Sequence, residues 1–569
     1  MRSRLGGQDA SFGADPQTAR RSPRDGSGAA ADTARLVATM PFHRSLVVLL
    51  SCAASVVAQD RSANQKALLS LLPDEAVAVV VIDDPRLAVT ELRAALGDVP
   101  PALREHFGFA AWAGLAAAWI AVDGDPASFA ATVAGGGAVV AVLPAPNGPR
   151  LIALLRPNDL AATEAWFAKF VERTPRATYG ELLVVGSHQD LVARMQRRFG
   201  EDGPVSRWAD VDFGPPAPLR SAIDLASVRA AAGEQAKPFA EHDAGARFLL
   251  LPLLHAATTA EFATFSLAGG ERLVLRASAA ASARSGSCRD LFAPPTASGA
   301  LALPAGGLSV LRLDRSVRAL LAQPERFLAP AEVLAVQGFL SIADAIDGAH
   351  SSFVDDLLGG LEEPLALHVL PVTPPPDAGP SRLQLPGFAV VARVKDPAVH
   401  DVLGRMAQAF VLIANAERQQ RGQAPFPLRT RSTEAGHGFV AEPLPWRGPG
   451  DPPIEQGLSP TLWFENGHVV LASTYDAAMA MVAATRAEER DARGGDLLVL
   501  RGPEWADAIA ASRDVLETGR VLDEGETPAV AKRFFDVLLV VARSLREVAL
   551  HVECDDARAT LELSLDRVR

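Results

Sequence analysis

The feature that most constrains the fold is a short recurring unit: a β-branched strand, a polar turn and a helix. Residues 77–83 (VAVVVID) form an apolar run that predicts a buried strand, and Asp84 and Pro85 interrupt it. A helix begins well at such a dipeptide, because the carboxylate accepts hydrogen bonds from free backbone N–H groups and proline fixes φ. The apolar positions that follow mark a helical face: Leu87, Leu92 and Leu96.

Five further copies of this unit follow. They begin at Leu151, Leu182, Leu308, Phe388 and Val469. Three copies carry an aspartate after the strand, and two carry a serine in a small polar turn: Asp159, Asp314 and Asp396, then Ser187 and Ser473. In chain order the six turns are Asp, Asp, Ser and again Asp, Asp, Ser. This order predicts an internal duplication.

The duplication divides the chain into a first half over 60–283 and a second half over 300–569. A linker is predicted over 284–299, which overlaps a polar seam near 282–298. Each half is expected to end in a helical stretch and paired strands: 263–267 with 272–277, and 548–553 with 559–565.

Consecutive strands predict how each sheet is built. Two predicted strand pairs flank turn sequences: 138–143 with 151–155, and 462–465 with 468–472. The second pair encloses Asn466-Gly467, which strongly favours a two-residue hairpin. Hairpins with intervening helices predict an α+β fold, in which each half is a mixed or antiparallel sheet covered by helices on one face. Pro-rich insertions around Pro375 and Pro449 predict surface loops.

The amino terminus predicts export. Residues 1–39 have no apolar periodicity, and we interpret them as a disordered or mis-assigned leader before a start at Met40. Residues 40–58 fit a signal peptide, cleaved before Gln59, with an apolar stretch shorter than the roughly 20 residues of a membrane-spanning helix. Lipidation at Cys52 is the alternative to this cleavage. A periplasmic or extracellular location follows from either reading.

The charge of the chain disfavours nucleic-acid partners. The net charge is −12, and the residues after position 59 include 48 basic and 63 acidic side chains. Such a surface repels phosphate backbones, and no patch of basic and aromatic residues offsets it. No apolar run after position 59 reaches membrane-spanning length. The scarcity of lysine beside abundant arginine and alanine is typical of a GC-rich bacterial genome.

Two cysteines, Cys288 and Cys554, follow the predicted signal peptide. In an oxidising compartment they could form a disulfide that joins the two halves. Two unpaired thiols are the alternative, because the sequence does not give the Cα separation that a disulfide requires.

Familiar catalytic motifs do not occur in the sequence. It contains no GxSxG elbow, P-loop or HExxH pair, and Gly135, Gly136 and Gly137 fit a turn before a strand. The nearest metal-binding candidate is a loose set: His437, Glu442, Glu465 and His468. Side-chain alternation puts His437 and Glu442 on opposite faces of a strand, so we interpret the set as solvated surface. No catalytic, cofactor-binding or metal-binding residue is predicted.

Five aspartates follow predicted strands, where α/β enzymes often place acid–base groups: Asp83, Asp84, Asp159, Asp314 and Asp396. Helix capping explains them more simply, since a capping aspartate contributes about 0.5–2 kcal/mol. Trp112 and Trp119 lie seven residues apart and could form a docking stripe, although core packing of a helix is the favoured interpretation.

Four segments resemble a family of uncharacterised exported bacterial proteins, whose modules contain a Leu-Pro-acidic segment, a strand and an Asp-Pro helix start. They are LLPDEAVAVVVIDDP at 71–85, GFAVVARVKDPA at 387–398, HVVLASTYDAAMAMV at 468–482 and VALHVECDDARATLELSL at 548–565. The resemblance spans most of the chain after the signal peptide. It implies a domain of unknown function and no activity, substrate or catalytic residue.

These observations favour an exported, non-enzymatic scaffold or binding module with a protein or cell-envelope partner. The alternative is a hydrolase-type enzyme whose site is assembled from scattered residues between the two halves. Clefts between duplicated halves are common ligand sites. A polar-lined pocket at that junction is therefore the feature to look for in the structure.

Overall fold

The computed structural model describes residues 61–82, 87, 137–145, 149–170, 174–200, 205–232, 260–269, 272–280, 303–326, 328, 330–347, 352–372, 384–443, 458–487, 495–554 and 558–567. Several predictions lie outside the described residues: the leader 1–39, the signal peptide 40–58 with Cys52, Asp83, Asp84, Trp112, Trp119, Gly135, Gly136, the linker 284–299 with Cys288, and most of both Pro-rich insertions.

Within the described residues, eight strands belong to the first half and ten to the second. Those of the first half are β1 Ala78–Ile82, β2 Ala138–Leu143, β3 Arg150–Leu155, β4 Arg176–Tyr179, β5 Leu182–Gly186, β6 Leu219–Asp224, β7 Phe262–Ala268 and β8 Arg272–Ala280. Every residue of β5 (LLVVG) is buried, and so is all of β3 except its first residue. Continuous apolar runs of this kind suit strands that are covered on both faces.

The ten strands of the second half are β9 Ser309–Leu313, β10 Leu361–Leu370, β11 Gly387–Val394, β12 Leu428–Ser432, β13 Gly436–Ala441, β14 Thr461–Glu465, β15 His468–Ala472, β16 Asp496–Arg501, β17 Leu545–Cys554 and β18 Arg558–Arg567. The predicted hairpin is confirmed at β14 and β15, where Asn466 and Gly467 both have positive φ, 52° and 69°. Asparagine and glycine tolerate this left-handed conformation better than other residues.

The helices within the described residues are α1 Arg61–Ser70, α2 Leu160–Phe170, α3 Gln189–Gly200, α4 Leu225–Ala232, α5 Val317–Ala322, α6 Pro330–Asp347, α7 Val399–Gln420, α8 Tyr475–Ala487, α9 Gly502–Ala511, α10 Arg513–Asp523 and α11 Pro528–Ser544. In the described part of the chain, none of them combines the length and apolar character needed to cross a membrane.

All eighteen strands of the described residues join one sheet, and every pairing described in it is antiparallel. Of the two predicted alternatives, the antiparallel one is therefore confirmed. From edge to edge the strand order is β4-β5-β3-β2-β1-β6-β7-β8-β18-β17-β16-β9-β10-β11-β15-β14-β13-β12. At a usual strand spacing the sheet is roughly 80 Å long in the hydrogen-bonding direction.

The two halves meet where the last strand of each lies next to the other. β8 pairs with β18 over nine residue pairs, from Arg272 opposite Asp566 to Ala280 opposite Arg558. The residue pair in the middle of this register is Arg276 opposite Glu562. The sheet is thus continuous across the junction, although each half was predicted to have a sheet of its own.

Helices cover both faces of the sheet, so the prediction of helices on one face is wrong. In the first half, Leu68 of α1 and Val192 of α3 pack on one face, and Phe167 of α2 packs on the other. In the second half, Met481 of α8 covers the first face and Leu403 of α7 the second. The continuous apolar strands need two covers because both of their faces carry buried side chains.

The aspartate caps are confirmed in part. Asp159 Oδ1 accepts a hydrogen bond from Ala162 N at 2.9 Å at the start of α2. Asp396 Oδ1 accepts from Ala398 N at 2.9 Å in the turn before α7, whose N-cap is Ala398, so Asp396 stabilises this turn and does not cap the helix. Asp314 was predicted to cap and does not: Ser316 Oγ accepts from Ala319 N at the start of α5. Asp314 instead belongs to a buried group of charged side chains and forms an ion pair with Arg312.

Candidate functional site

A half-open cleft of about 390 Å³ lies at the centre of the sheet, where the two halves meet. Its floor is formed by β7 and β8 of the first half and by β18 and β17 of the second. The loop containing Phe213, Gly214 and Pro215 forms one wall. The strand register shows which face of the sheet carries the cleft. It is the same face that α1 and α3 cover in the first half and α8 covers in the second.

Strand alternation makes this floor polar. Two rows of facing residues cross the four strands: Ser266, Arg276, Glu562 and His551 in the first row, and Thr264, Ser278, Thr560 and Glu553 in the second. The intervening residues, such as Leu275 and Leu563, project from the opposite face. A period of two separates polar from apolar side chains on a strand. The sequence of β8 and β18 therefore forms a polar surface that lines the cleft.

An ion pair lies in the middle of the floor. Arg276 Nη2 donates to Glu562 Oε2 at 2.5 Å, and Arg276 Nε donates to the same oxygen at 3.2 Å. One partner comes from each half. Both side chains are partly exposed, so solvent screens the attraction. The pair neutralises the centre of the cleft.

Hydroxyl groups lie beside this ion pair. Ser278 Oγ and Thr560 Oγ1 are 2.8 Å apart across the junction, and either can donate to the other. Thr264 Oγ1 donates to the backbone oxygen of Ser278 at 3.4 Å. A hydroxyl group both donates and accepts, so these side chains can bind hydrogen-bonding groups of a ligand.

The wall of the cleft is fixed by a second ion pair. Arg558 donates to Asp212, and Asp212 Oδ1 accepts from Gly214 N at 2.9 Å. The backbone hydrogen bond from Gly214 and the nearby Arg558 guanidinium lower the pKa of Asp212. Gly214 has a φ of 77°, which glycine adopts without strain. The loop is thereby tied to the first residue of β18.

Two further side chains line the cleft from β17. The His551 ring lies close to the backbone of Gly495, where a Cβ atom would come within 2.8 Å of its Nε2 atom. Glu553 is exposed and faces Thr560 across the strands. It makes no hydrogen bond or ion pair with any residue in the described ranges.

A buried group of charges lies next to the cleft, at the ends of β9 and β16. Arg315 Nε donates to Asp496 Oδ2 at 2.5 Å, and Asp496 Oδ1 accepts from Asp314 N at 2.9 Å. Arg312 Nη2 donates to the Gly495 backbone oxygen at 2.9 Å. Burial raises the pKa of Asp314, which Arg312 opposes, and burial also raises the pKa of Asp496, which Arg315 opposes.

The residues singled out as a loose metal candidate lie away from this cleft, and each has its own contacts. Glu465 accepts hydrogen bonds from Trp463 Nε1 at 3.1 Å and Arg486 Nε at 2.6 Å. Glu442 forms an ion pair with Arg429 at 3.3 Å. The remaining contacts are His437 against the Phe464 ring and His468 Nδ1 near the Asn466 backbone oxygen. Within the described ranges, no group of three or more His, Cys, Asp or Glu is arranged to hold a metal ion.

None of the cleft residues was singled out from the sequence. Alternation in RLVLRASAA and RATLELSLDR was the available signal, because it places Arg276, Ser278, Thr560 and Glu562 on one strand face. The sequence did not indicate that β8 and β18 pair with each other. That pairing brings the two polar faces together.

Fold and cleft together define an α+β protein with a long antiparallel sheet, helices on both faces and a polar, ligand-sized cavity at its centre. Comparison with protein families, curated proteins and solved structures finds no match for this chain.

Proposed function

We propose that the two halves are copies of one unit and that the protein is a non-enzymatic binding module whose ligand occupies the cleft between them. The strand orders support the duplication. From the outer strand towards the junction, the first half has the order β4-β5-β3-β2-β1-β6-β7-β8. The second half has the same order, β14-β15-β11-β10-β9-β16-β17-β18, with the β12–β13 hairpin added outside it.

Individual hydrogen bonds also support the duplication. Leu151 N donates to Ser187 Oγ at 3.0 Å, and Ser187 N donates to Leu151 O at 2.9 Å. Phe388 and Ser473 make the same reciprocal pair, at 3.0 and 2.9 Å. Ser187 directly follows β5, and its partner Leu151 lies near the start of β3, which pairs with β5. Ser473 likewise follows β15, and its partner Phe388 lies near the start of β11, which pairs with β15. The serine turns thus recur together with their contacts.

The cleft is the observation that carries the binding proposal. Each half contributes two strands to its floor, so the site is complete only in the whole chain. A volume of about 390 Å³ falls within the usual range for small-molecule sites. The floor offers hydroxyl groups and charged groups that can orient a polar ligand.

A ligand screen on the full chain tests this function. Thermal unfolding is measured with arginine, 1,4-diaminobutane, glutamate, citrate, glucose and trehalose, and each stabilising compound is titrated by calorimetry. Thr560→Phe should abolish binding because it fills the cleft. Leu561→Phe, its neighbour on the other strand face, is the matched control and should bind as the wild type does. Binding unaffected by Thr560→Phe, or chemical turnover of the bound compound, would contradict the proposal.

We also propose that the protein is exported, on the basis of the signal-like segment 40–58 and the resemblance to exported bacterial proteins. Mass spectrometry of the mature chain, purified from the periplasm of an expressing bacterium, should find Gln59 at the amino terminus. A chain that begins at a diacylated Cys52 would show a lipid-anchored form instead.

A further inference from the structure

The charges in the cleft are unevenly compensated. Both arginines that line it already have carboxylate partners: Arg276 pairs with Glu562, and Arg558 pairs with Asp212. Glu553 is the exception, since it has no hydrogen-bond or ion-pair partner within the described ranges. Each arginine of the lining is thus paired, and Glu553 is the lining carboxylate that has no partner in the described ranges. An uncompensated negative charge of the described lining therefore lies on Glu553.

The position of Glu553 suits recognition of a cation. It lies on β17 at the end of the second polar row, directly opposite Thr560. Thr560 is in contact with Ser278, so a carboxylate and two hydroxyl groups follow one another across the floor. A ligand ammonium or guanidinium group could donate to Glu553, while its neighbouring polar atoms bond to the hydroxyls. Charge-assisted hydrogen bonds of this type are about twice as strong as neutral ones.

An anionic ligand would find a less favourable environment. It would meet Arg276 and Arg558 only beside the carboxylates that already pair with them, Glu562 and Asp212. Like charges that meet in a partly desolvated site oppose binding, and specificity commonly depends on this repulsion. The cleft therefore discriminates by charge.

We infer that the ligand of the central cleft is a small organic cation, with a primary amine or guanidinium group bound by Glu553. This inference rests on the proposed binding function and narrows it to one ligand class. The cleft volume of about 390 Å³ limits the ligand to a small molecule or a single side chain.

Three four-carbon probes of different charge test the inference on the full chain. Binding of 1,4-diaminobutane, 1,4-butanediol and succinate is measured by ligand-observed NMR and calorimetry. The diamine should bind at least about tenfold more tightly than the diol, and succinate should bind least. Glu553→Gln should weaken diamine binding by about tenfold and leave the diol unchanged.

Glu547→Gln is the matched control, because Glu547 lies on the same strand outside the cleft and pairs with Arg272. It should not change diamine affinity. Equal binding of diamine and diol, or equal loss in both Gln variants, would overturn the cation assignment. A neutral or anionic ligand that binds in a Thr560-dependent way would overturn this inference alone, whereas failure of every ligand to depend on Thr560 would overturn the proposed function as well.

Discussion

The three inner strands that hold equivalent places in the strand order are built differently in the two halves. In the first half, Val81 of β1 and Ala141 of β2 belong to a continuous apolar core. By strand order and register, Arg312 of β9 lies at the place of Val81, and His368 of β10 lies at the place of Ala141. Both side chains are buried. The first residue of β6 is Leu219, whereas the first residue of β16 is the buried Asp496.

The difference teaches that a position in this fold does not dictate an apolar side chain. Polar side chains occupy such places here, with partners in some cases and, for the His368 ring, without one in the described ranges. Arg315 and Asp496 satisfy each other, and Asp314 N donates to Asp496. Buried ion pairs seldom exceed the stability of a packed apolar core, but removing one partner is costly because it leaves an uncompensated charge. The Arg315–Asp496 pair and the buried His368 should therefore make the second half sensitive to single substitutions and to pH.

The largest expected effect follows from breaking the buried pair. Asp496→Ala leaves the Arg315 guanidinium, fully buried, without its carboxylate. We expect the free energy of unfolding to fall by about 3–5 kcal/mol, measured by urea denaturation. As a control, Asp507→Ala removes an exposed carboxylate of α9 and should change stability by less than about 0.5 kcal/mol.

A double substitution sharpens this test. Asp496→Leu combined with Arg315→Met replaces the pair by apolar groups, as at Leu219 in the first half. It should recover most of the stability lost in Asp496→Ala, since buried pairs can often be replaced by apolar residues without loss. A loss below about 1 kcal/mol in Asp496→Ala would mean that water reaches the Arg315 site.

The second effect is a loss of stability in acid through His368. Its side chain is fully buried between Val310 and Ala389, and neither ring nitrogen has a hydrogen-bond partner in the described ranges. Burial lowers the pKa of His368 from 6.5 to about 4. The unfolded chain therefore binds a proton more readily than the folded one, so stability falls as pH decreases from about 6.5 towards 4. The expected loss is about 3 kcal/mol at pH 4.

His368→Leu should remove this pH dependence, with a gain over the wild type that grows by about 3 kcal/mol between pH 7 and pH 4. Subtracting the stability of the wild type from that of His368→Leu at each pH separates the contribution of His368 from those of Asp314 and Asp496. Their raised pKa values act in the opposite direction, because stability from them decreases as pH rises from about 4. His188→Ala, an exposed histidine of the first half, is the control and should leave the pH curve unchanged. Parallel curves for the wild type and His368→Leu would show that His368 is solvated.

The third effect compares the aspartates that precede α2 and α7, Asp159 and Asp396. Asp159→Ala and Asp396→Ala should each lower the free energy of unfolding by about 1 kcal/mol, because each removes one 2.9 Å bond to a backbone N–H group. Thermal denaturation of both variants measures the loss. Asp→Asn substitutions keep the acceptor oxygen and should have little effect. No change in Asp159→Ala would contradict the capping role.

Sequence reasoning predicted the strands well because local patterns determine them. The β14–β15 hairpin followed from Asn466-Gly467, and the helix start at Asp159 followed from its position after an apolar run. It was wrong about Asp314 because Ser316, two residues later, competes for the same helix end. It was wrong about one-sided helical cover because apolar strands alone do not show which segment packs on which face.

The cleft could not be predicted for a different reason. Arg276 and Glu562 are far apart in the chain, and only the long-range pairing of β8 with β18 makes them neighbours. A polar strand face is equally compatible with a solvated outer surface. Local periodicity thus indicates a polar strand face. It does not show whether that face lines a cleft or lies on the outer surface.

The smallest expected effect comes from the ion pair at the junction, and it completes the comparison of the two kinds of charged pair. Side-chain exposure is 39% for Arg276 and 24% for Glu562, against 0% and 3% for Arg315 and Asp496. A double-mutant cycle with Arg276→Met and Glu562→Gln should therefore give a coupling energy of only about 0.2–1 kcal/mol, and added salt should reduce it. A coupling as large as that between Arg315 and Asp496 would mean that the junction is desolvated and contributes substantially to folding. A floor that water cannot reach would not admit a ligand, so the junction would then be a structural part of the sheet only.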